Sequence, residues 1–145
     1  LHPRVRRQRQ MCIRDRFNTS KEEYEARAHI VESAYIYKGC AIALSEELDA
    51  GMNVVLPMAA NDLLTINGVD ASFVAVAKNG GVNISARSMG ALNVQVILEP
   101  LGGGGHLMMA GAQLHDCTLQ DAETRIREQI DIYRAAQAAQ QDAAR

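Results

Sequence analysis

The segment Ala71-Ser72-Phe73-Val74-Ala75-Val76-Ala77-Lys78-Asn79-Gly80-Gly81-Val82-Asn83-Ile84-Ser85-Ala86-Arg87 carries the strongest structural signal in the chain. Two runs of apolar and β-branched residues flank an Asn-Gly step, which supplies the positive φ angles of a tight turn. We therefore predict a β-hairpin with strands at 71–77 and 82–87. Side chains alternate along a strand, and so the second strand has an apolar face and a polar face, the latter carrying Asn83, Ser85 and Arg87.

The rest of the sequence predicts helices and short strands around this hairpin. A capping box at Ser20 and Glu23 starts a helix over about 20–37, and the apolar run at 39–44 follows as a buried strand. A helix from Pro57 to Ile66, a short helix capped by Asn93 and a strand of small residues at 110–114 come next. Thr118 and Asp121 cap a last helix. This order predicts an α/β fold, with a mixed β-sheet covered by helices.

Four successive glycines, at 102–105, precede His106. Glycine has no side chain that could pack in a core. A glycine run therefore suits a sharp turn or a close approach of a ligand to backbone N–H groups. The alternative is a flexible turn. We favour an anion-binding loop because apolar segments flank the run and because Ser85, Arg87 and Ser88 provide a second candidate contact.

The charge distribution argues against a broad surface for long nucleic acids. Residues 1–16 contain six arginines and one aspartate, a net charge of +5, whereas the remaining residues contain nine Lys or Arg and sixteen Asp or Glu, a net charge of −7. This acidic body is compatible with a small nucleotide held at one local site.

The three cysteines show no metal-binding spacing, and no apolar stretch has membrane-spanning length. We expect a cytoplasmic domain without membrane contact, which leaves a membrane-anchored parent protein open.

Both ends of the chain are set apart from this domain. Residues 1–17 are predicted to be a disordered or artefactual leader, because residues 11–16 resemble a translated sequencing adapter, and a basic arm for nucleic acid is the alternative. The domain is assigned to residues 18–137, and its first helix belongs either to the domain or to a preceding linker. The Ala- and Gln-rich end at 138–145 has little to bury and is expected to fray.

Several of these motifs together resemble the DHH-associated domain of DHH-family phosphoesterases, most closely that of the cyclic-di-AMP phosphodiesterases of the GdpP type. The resemblance runs from about Ala26 to Tyr133. It is carried by Ser85-Ala86-Arg87-Ser88, Asn93-Val94-Gln95, the glycine run with His106, and Ala110-Gly111, and also by Asn61-Asp62-Leu63-Leu64 and the segment 68–74. One departure is Met109, where the family usually has alanine; a longer side chain there would narrow the pocket.

The resemblance implies a role for each of seven residues. Arg87 would pair with a substrate phosphate, and Ser85 and Ser88 would position Arg87 or the ligand. Backbone N–H groups of Gly103, Gly104 and Gly105 would contact the substrate, and His106 would hydrogen-bond a phosphate or ribose oxygen. The alternatives are an ordinary solvated arginine and a turn histidine satisfied by its local backbone.

In the family, a separate catalytic DHH domain binds two Mn²⁺ ions and cleaves the phosphodiester. The present sequence has four histidines, at 2, 29, 106 and 115, and no Asp-His-His triplet. We therefore expect this chain to hold no catalytic residue and no metal, and to be inactive alone as the substrate-binding lobe of a truncated phosphodiesterase.

The expected ligand is a cyclic dinucleotide or a short oligonucleotide. Three alternatives are an oligoribonuclease or single-strand exonuclease lobe, a tRNA-binding or dimerisation module like that of alanyl-tRNA synthetases, and a purely structural role. The sequence leaves the preferred nucleotide and homodimer formation open.

Overall fold

The structure is a computed structural model and describes residues 20–49 and 51–144; the predicted leader at 1–17 lies outside them. Short 3₁₀ turns at Met52–Val54 and Glu99–Leu101 connect longer elements. The helices and strands, in chain order, are α1 (Lys21–Ser33), β1 (Tyr35–Tyr37), β2 (Cys40–Ser45), α2 (Val55–Leu63), β3 (Ala71–Lys78), β4 (Gly81–Ser88), α3 (Val94–Leu98), β5 (Gly104–His106), β6 (Met109–Leu114) and α4 (Leu119–Ala143).

The strands form one mixed sheet in the order β1-β2-β3-β4-β6-β5. β2 and β3 are parallel, as their crossover through α2 requires, and every other neighbouring pair is antiparallel. The predicted hairpin is confirmed as β3 and β4, with Val74 opposite Ser85 and Ser72 opposite Arg87. The predicted mixed sheet covered by helices is also confirmed.

The helices cover the two faces of the sheet unequally. On one face α3 and α4 pack against a large core that includes Phe73, Ile84 and Ile126. On the other face α1 and α2 bury Ala41, Ala43, Val74 and Val76 of β2 and β3. β6 alternates strictly between exposed and buried residues, so its second face is open to solvent. The sheet is therefore covered on both sides at β2 and β3 and on one side only at β6.

Two predicted elements are wrong in detail. The first helix ends at Ser33, and Tyr35–Tyr37 form β1, an edge strand that pairs with β2. The helix predicted at 57–66 runs from Val55 to Leu63. Pairing with β2 explains the first difference. After Leu63 the backbone forms i→i−3 hydrogen bonds, such as that from Thr65 N to Asp62 O, so the last predicted helical residues form turns.

The predicted helix caps form at Asn93 and Thr118, whereas the predicted capping box at Ser20 and Glu23 has only one of its two hydrogen bonds. Ser20 Oγ accepts a hydrogen bond from Glu23 N, and Asn93 Oδ1 accepts from Gln95 N. Thr118 and Asp121 form a reciprocal capping box. α4 then continues to Ala143, past the point where fraying is expected, and its residues from Ala138 onward are exposed.

Tyrosine hydroxyls attach the edge strand β1 to α4. Tyr35 donates a hydrogen bond to Glu123 Oε2 at 2.6 Å, and Tyr37 donates to Asp131 Oδ1 at 2.7 Å. Arg127 lies over the Tyr37 ring, 4.4 Å from its centroid. Burial, together with the hydrogen bond to Glu123, raises the pKa of Tyr35 to about 12. The neutral phenol is thus the form that the folded state favours.

This raised pKa predicts a loss of stability at high pH. The unfolded chain ionises Tyr35 near pH 10, before the folded protein does, so the stabilisation is complete below pH 10 and is lost as the pH rises toward 12. We expect the free energy of unfolding, measured by urea denaturation, to fall less steeply from pH 10 to 12 in Tyr35→Phe than in the parent. The exposed Tyr24 supplies the control Tyr24→Phe, which should keep the parental slope. Equal slopes in all three proteins would contradict the raised pKa of Tyr35.

Candidate ligand-binding site

The polar face of β4 lies where the alternation of the sequence predicts it. Val82, Ile84 and Ala86 enter the core shared with α3 and α4. Asn83, Ser85 and Arg87 alternate with them and are only half-buried. They therefore project from the opposite face of the sheet, the face that is open at β6.

The strand register brings Arg87 and His106 into one row. Arg87 is opposite Met109 of β6, and Met109 is opposite His106 of β5. Residues directly opposite one another project from the same face of a sheet. Neighbouring strands are about 4.8 Å apart, so the backbones at Arg87 and His106 are separated by about 10 Å. The predicted proximity of the arginine to the histidine is thus present, with Met109 between them.

Arg87 has an unsatisfied donor. Among the described residues, its Nε is the buried side-chain polar atom that lacks a hydrogen-bond partner. Asp62, the acidic residue of α2, is already bound by Arg27, whose Nε and Nη2 donate to the two carboxylate oxygens. A buried N–H without a partner is costly, and such groups commonly mark a position completed by a ligand or by water. A guanidinium with an unpaired N–H group is suited to bind an anion.

His106 presents a donor from the edge of the sheet. Its Nδ1 accepts a hydrogen bond from Met108 N at 3.3 Å. An accepting Nδ1 in a neutral imidazole assigns the proton to Nε2, which then acts as a donor. No hydrogen bond joins Nε2 to another described residue, and the side chain is exposed. The local backbone therefore fixes the tautomer and leaves the outer nitrogen for a ligand oxygen.

The glycine run is more ordered than a free loop. Gly102 ends a 3₁₀ turn with φ +81°, and Gly104–His106 form β5 instead of the predicted loop. Gly103 N donates to Leu98 O at 2.9 Å, which occupies a donor that the resemblance assigns to the substrate. The resemblance-based contacts of Gly104 and Gly105 stay predictions.

Two of these glycines are required by close packing. A Cβ on Gly103 would lie 2.5 Å from Gly111 O and 2.8 Å from the Ala112 Cβ. Gly105 has φ +148°, and a Cβ there would overlap Met109 O. Close contact with the backbone of β6 thus excludes any side chain at either position.

The two serines of the predicted site have different surroundings. Ser88 is buried, and its Oγ donates to Leu92 O at 2.6 Å and accepts from Gly90 N at 3.1 Å. Its backbone N donates to Met108 O. Ser88 therefore holds the β5–β6 turn beside the end of β4. Ser85 is half-buried on the open face, opposite Gly111.

A shallow groove of about 530 Å³ lies on this part of the sheet. Its lining includes Asn83, Gly104, Gly111 and Gln113. Neither Asn83 nor Gln113 belongs to the predicted site, although the alternation of β4 already places Asn83 on the face of Arg87. Gln113 depends on the register between β4 and β6, which a single sequence does not reveal.

The described residues do not offer a ligand set for the two Mn²⁺ ions that the resemblance associates with catalysis. Within 20–49 and 51–144, no three His, Cys, Asp or Glu side chains are grouped so that they could hold a metal ion. In the same residues, none of the helices combines the length and the apolar character needed to cross a membrane.

Comparison with known proteins identifies the family. A family model described as the DHHA1 domain matches residues 37–138, more than half of the chain. The chain belongs to the DHHA1 domain family. This confirms the resemblance to the DHH-associated domain inferred from the sequence.

Two relatives of this DHHA1 domain are cyclic-di-AMP phosphodiesterases by name. GdpP of Geobacillus thermodenitrificans (strain NG80-2) is 48% identical over 116 residues, which cover 79% of this chain and 18% of the relative. PdeA of Listeria monocytogenes serotype 1/2a (strain 10403S) is 45% identical over 112 residues, 76% of this chain and 17% of the relative. The chain thus spans less than a fifth of the length of these relatives.

A solved structure agrees with the fold. An exopolyphosphatase-related protein from Bacteroides fragilis superposes with a TM-score of 0.75 and 20% identity, over 85% of this chain and 38% of that one. At this identity the likeness concerns the DHHA1 fold alone.

The contrast between the two serines is testable by their effects on stability. Ser88→Ala leaves the buried Leu92 carbonyl without its hydroxyl partner, and we expect it to lower the free energy of unfolding by about 1–3 kcal/mol. Ser85→Ala removes a half-buried hydroxyl and should change the free energy of unfolding by less than about 0.5 kcal/mol. Urea denaturation of both variants measures the difference. Equal effects would show that the hydrogen bonds of the Ser88 hydroxyl do not stabilise the fold.

Proposed function

We propose that this domain is the nucleotide-binding lobe of a metal-dependent phosphodiesterase that acts on cyclic di-AMP or short oligonucleotides. The observation that carries the proposal is the partnerless Nε of Arg87, in register with His106 on an open sheet face. The similarity to phosphodiesterases named for cyclic di-AMP supports this choice of ligand.

The two side chains have complementary tasks. The Arg87 guanidinium, anchored by a partly buried stem, donates to a phosphate oxygen and carries the positive charge that the phosphate needs. His106 donates through Nε2 to a second oxygen of the phosphate or of the adjoining ribose. Together they bind and orient the nucleotide.

Cleavage belongs to a separate domain in this proposal. The described residues lack a metal-ligand cluster, and the matched relatives are more than five times longer than the aligned region. A catalytic domain that supplies Mn²⁺ and the attacking water would therefore face the open side of the sheet. The 145-residue chain would bind nucleotide and leave the phosphodiester intact.

The acidic body favours a short ligand over tRNA. Outside residues 1–16 the net charge is −7, which disfavours the binding of a long polyanion. A short ligand with one or two phosphates needs only the local donors.

Replacement of Arg87 tests the proposal directly. We expect the full chain to bind cyclic di-AMP and the linear diadenylate, and Arg87→Ala to weaken both by about 10- to 100-fold, since hydrogen bonds to charged groups contribute about 1.5–3 kcal/mol. Arg87→Lys should recover only part of the affinity because lysine lacks the planar fork. NMR titration of the ¹⁵N-labelled chain detects binding even in the millimolar range.

The matched control is Arg125→Ala, which removes an exposed arginine from α4 on the opposite side of the sheet. It should keep the parental affinity.

Titration with tRNA at two salt concentrations distinguishes the other candidate, because tRNA binding through many phosphates falls steeply with salt. Equal nucleotide affinity of the parent and Arg87→Ala, or steeply salt-dependent tRNA binding alone, would refute the proposed function.

A further inference from the structure

The groove beside Arg87 has a floor without side chains. Gly111 of β6 is opposite both Ser85 of β4 and Gly104 of β5. These residues project from the same face as Arg87, Met109 and His106, and they are displaced by two residues, about 7 Å along the strands. Beside the phosphate-binding row there is thus a bare strip of backbone, two strands wide.

The fold itself does not require glycine at either of these positions. A Cβ on Gly104 would meet no atom within 4 Å, and a Cβ on Gly111 would meet only Ile84 O, at an ordinary contact distance of 3.4 Å. Neither residue has a positive φ. Glycine inside a strand costs stability, and a common reason for it is the close approach of another group to the backbone.

Amide side chains border this floor on the side away from Arg87. Asn83 and Gln113 are opposite each other on β4 and β6, and both line the groove of about 530 Å³. Neither amide hydrogen-bonds to another described residue. Each carries a donor and an acceptor side by side, which matches the amino group and ring nitrogen of adenine.

Met109 borders the floor on the other side. It is 43% exposed, and it lies four residues from Gln113, about 13 Å along β6. A thioether makes favourable contacts with the edge of an aromatic ring. The exposed Met109 side chain is therefore suited to contact the edge of a ring that lies on this floor. The groove therefore combines a flat floor with hydrogen-bonding amides in its lining, and the apolar Met109 projects from the same face just outside that lining.

We propose that this groove is a nucleobase subsite in which an adenine ring lies flat on Gly104 and Gly111, between Met109 and the amides of Asn83 and Gln113. The inference rests on the proposed function, because the row of Arg87 and His106 supplies the phosphate contact. It adds a recognition element for the base, and it assigns base selectivity to Asn83 and Gln113.

Comparison of AMP, GMP and ribose 5-phosphate isolates the base from the phosphate. We expect AMP to bind the full chain at least tenfold more tightly than ribose 5-phosphate and several-fold more tightly than GMP. Gly111→Val places a branched side chain on the floor, and it should remove the advantage of AMP while the affinity for ribose 5-phosphate changes less than twofold. Gln113→Ala should reduce the preference for AMP over GMP, and Gln120→Ala, at an exposed position of α4, should not.

Gly104→Val is a second floor variant, on the edge strand where an added Cβ meets no atom within 4 Å, and thermal unfolding verifies that either valine variant is folded. Equal binding of AMP and ribose 5-phosphate, both lost in Arg87→Ala, would overturn the base subsite and leave the proposed function standing. An equal loss of affinity for AMP and ribose 5-phosphate in the valine variants would also overturn the base subsite alone. Absence of binding by all three ligands, or binding unaffected by Arg87→Ala, would overturn both proposals.

Discussion

The antiparallel pairing of β4 with β6 sets the position of every candidate contact in this domain. It places Arg87 beside Met109, Ser85 beside Gly111, and Asn83 beside Gln113 on a single face. A shift of one residue would turn these side chains into the core and expose Ile84 and its neighbours. The large apolar cluster shared with α3 and α4 opposes such a shift. The core therefore fixes the register, and the register fixes the geometry of the open face.

Because the helices cover the two faces of the sheet unequally, part of the face that carries these residues is accessible to a ligand. α2 packs on β3 and β4, where Ser72 Oγ donates to Ala60 O. Beyond β4 the face is open, and the residues of β6 that point to it are exposed. Arg87 lies at this boundary, so its stem is partly covered while the neighbouring strands remain accessible. Partial burial strengthens its interaction with an anion because water screens the charge less effectively there.

Sequence patterns predicted the parts of the fold that depend on local chemistry. The Asn-Gly turn, the caps at Asn93 and Thr118, and the polar face of β4 each follow from a short motif. The strands β1 and β5 escaped prediction because three residues hold too little periodicity, and β5 contains two glycines. For the site, alternation along β4 was sufficient for Arg87. The roles of Met109 and Gln113 needed the pairing of strands that are distant in sequence.

The glycines near the site divide into two groups with different physical causes. Gly103, just before β5, and Gly105 within it lie against the backbone of β6, which would collide with any side chain there. Gly104 and Gly111 meet no such obstacle, although they belong to the same pair of strands. A run of glycines is thus more than a flexible loop. The residues that point toward the core side serve the fold, and those that point outward keep the backbone bare beside an arginine whose Nε lacks a partner. The coincidence of these two features on one face is what a ligand with both a phosphate and a flat ring would require.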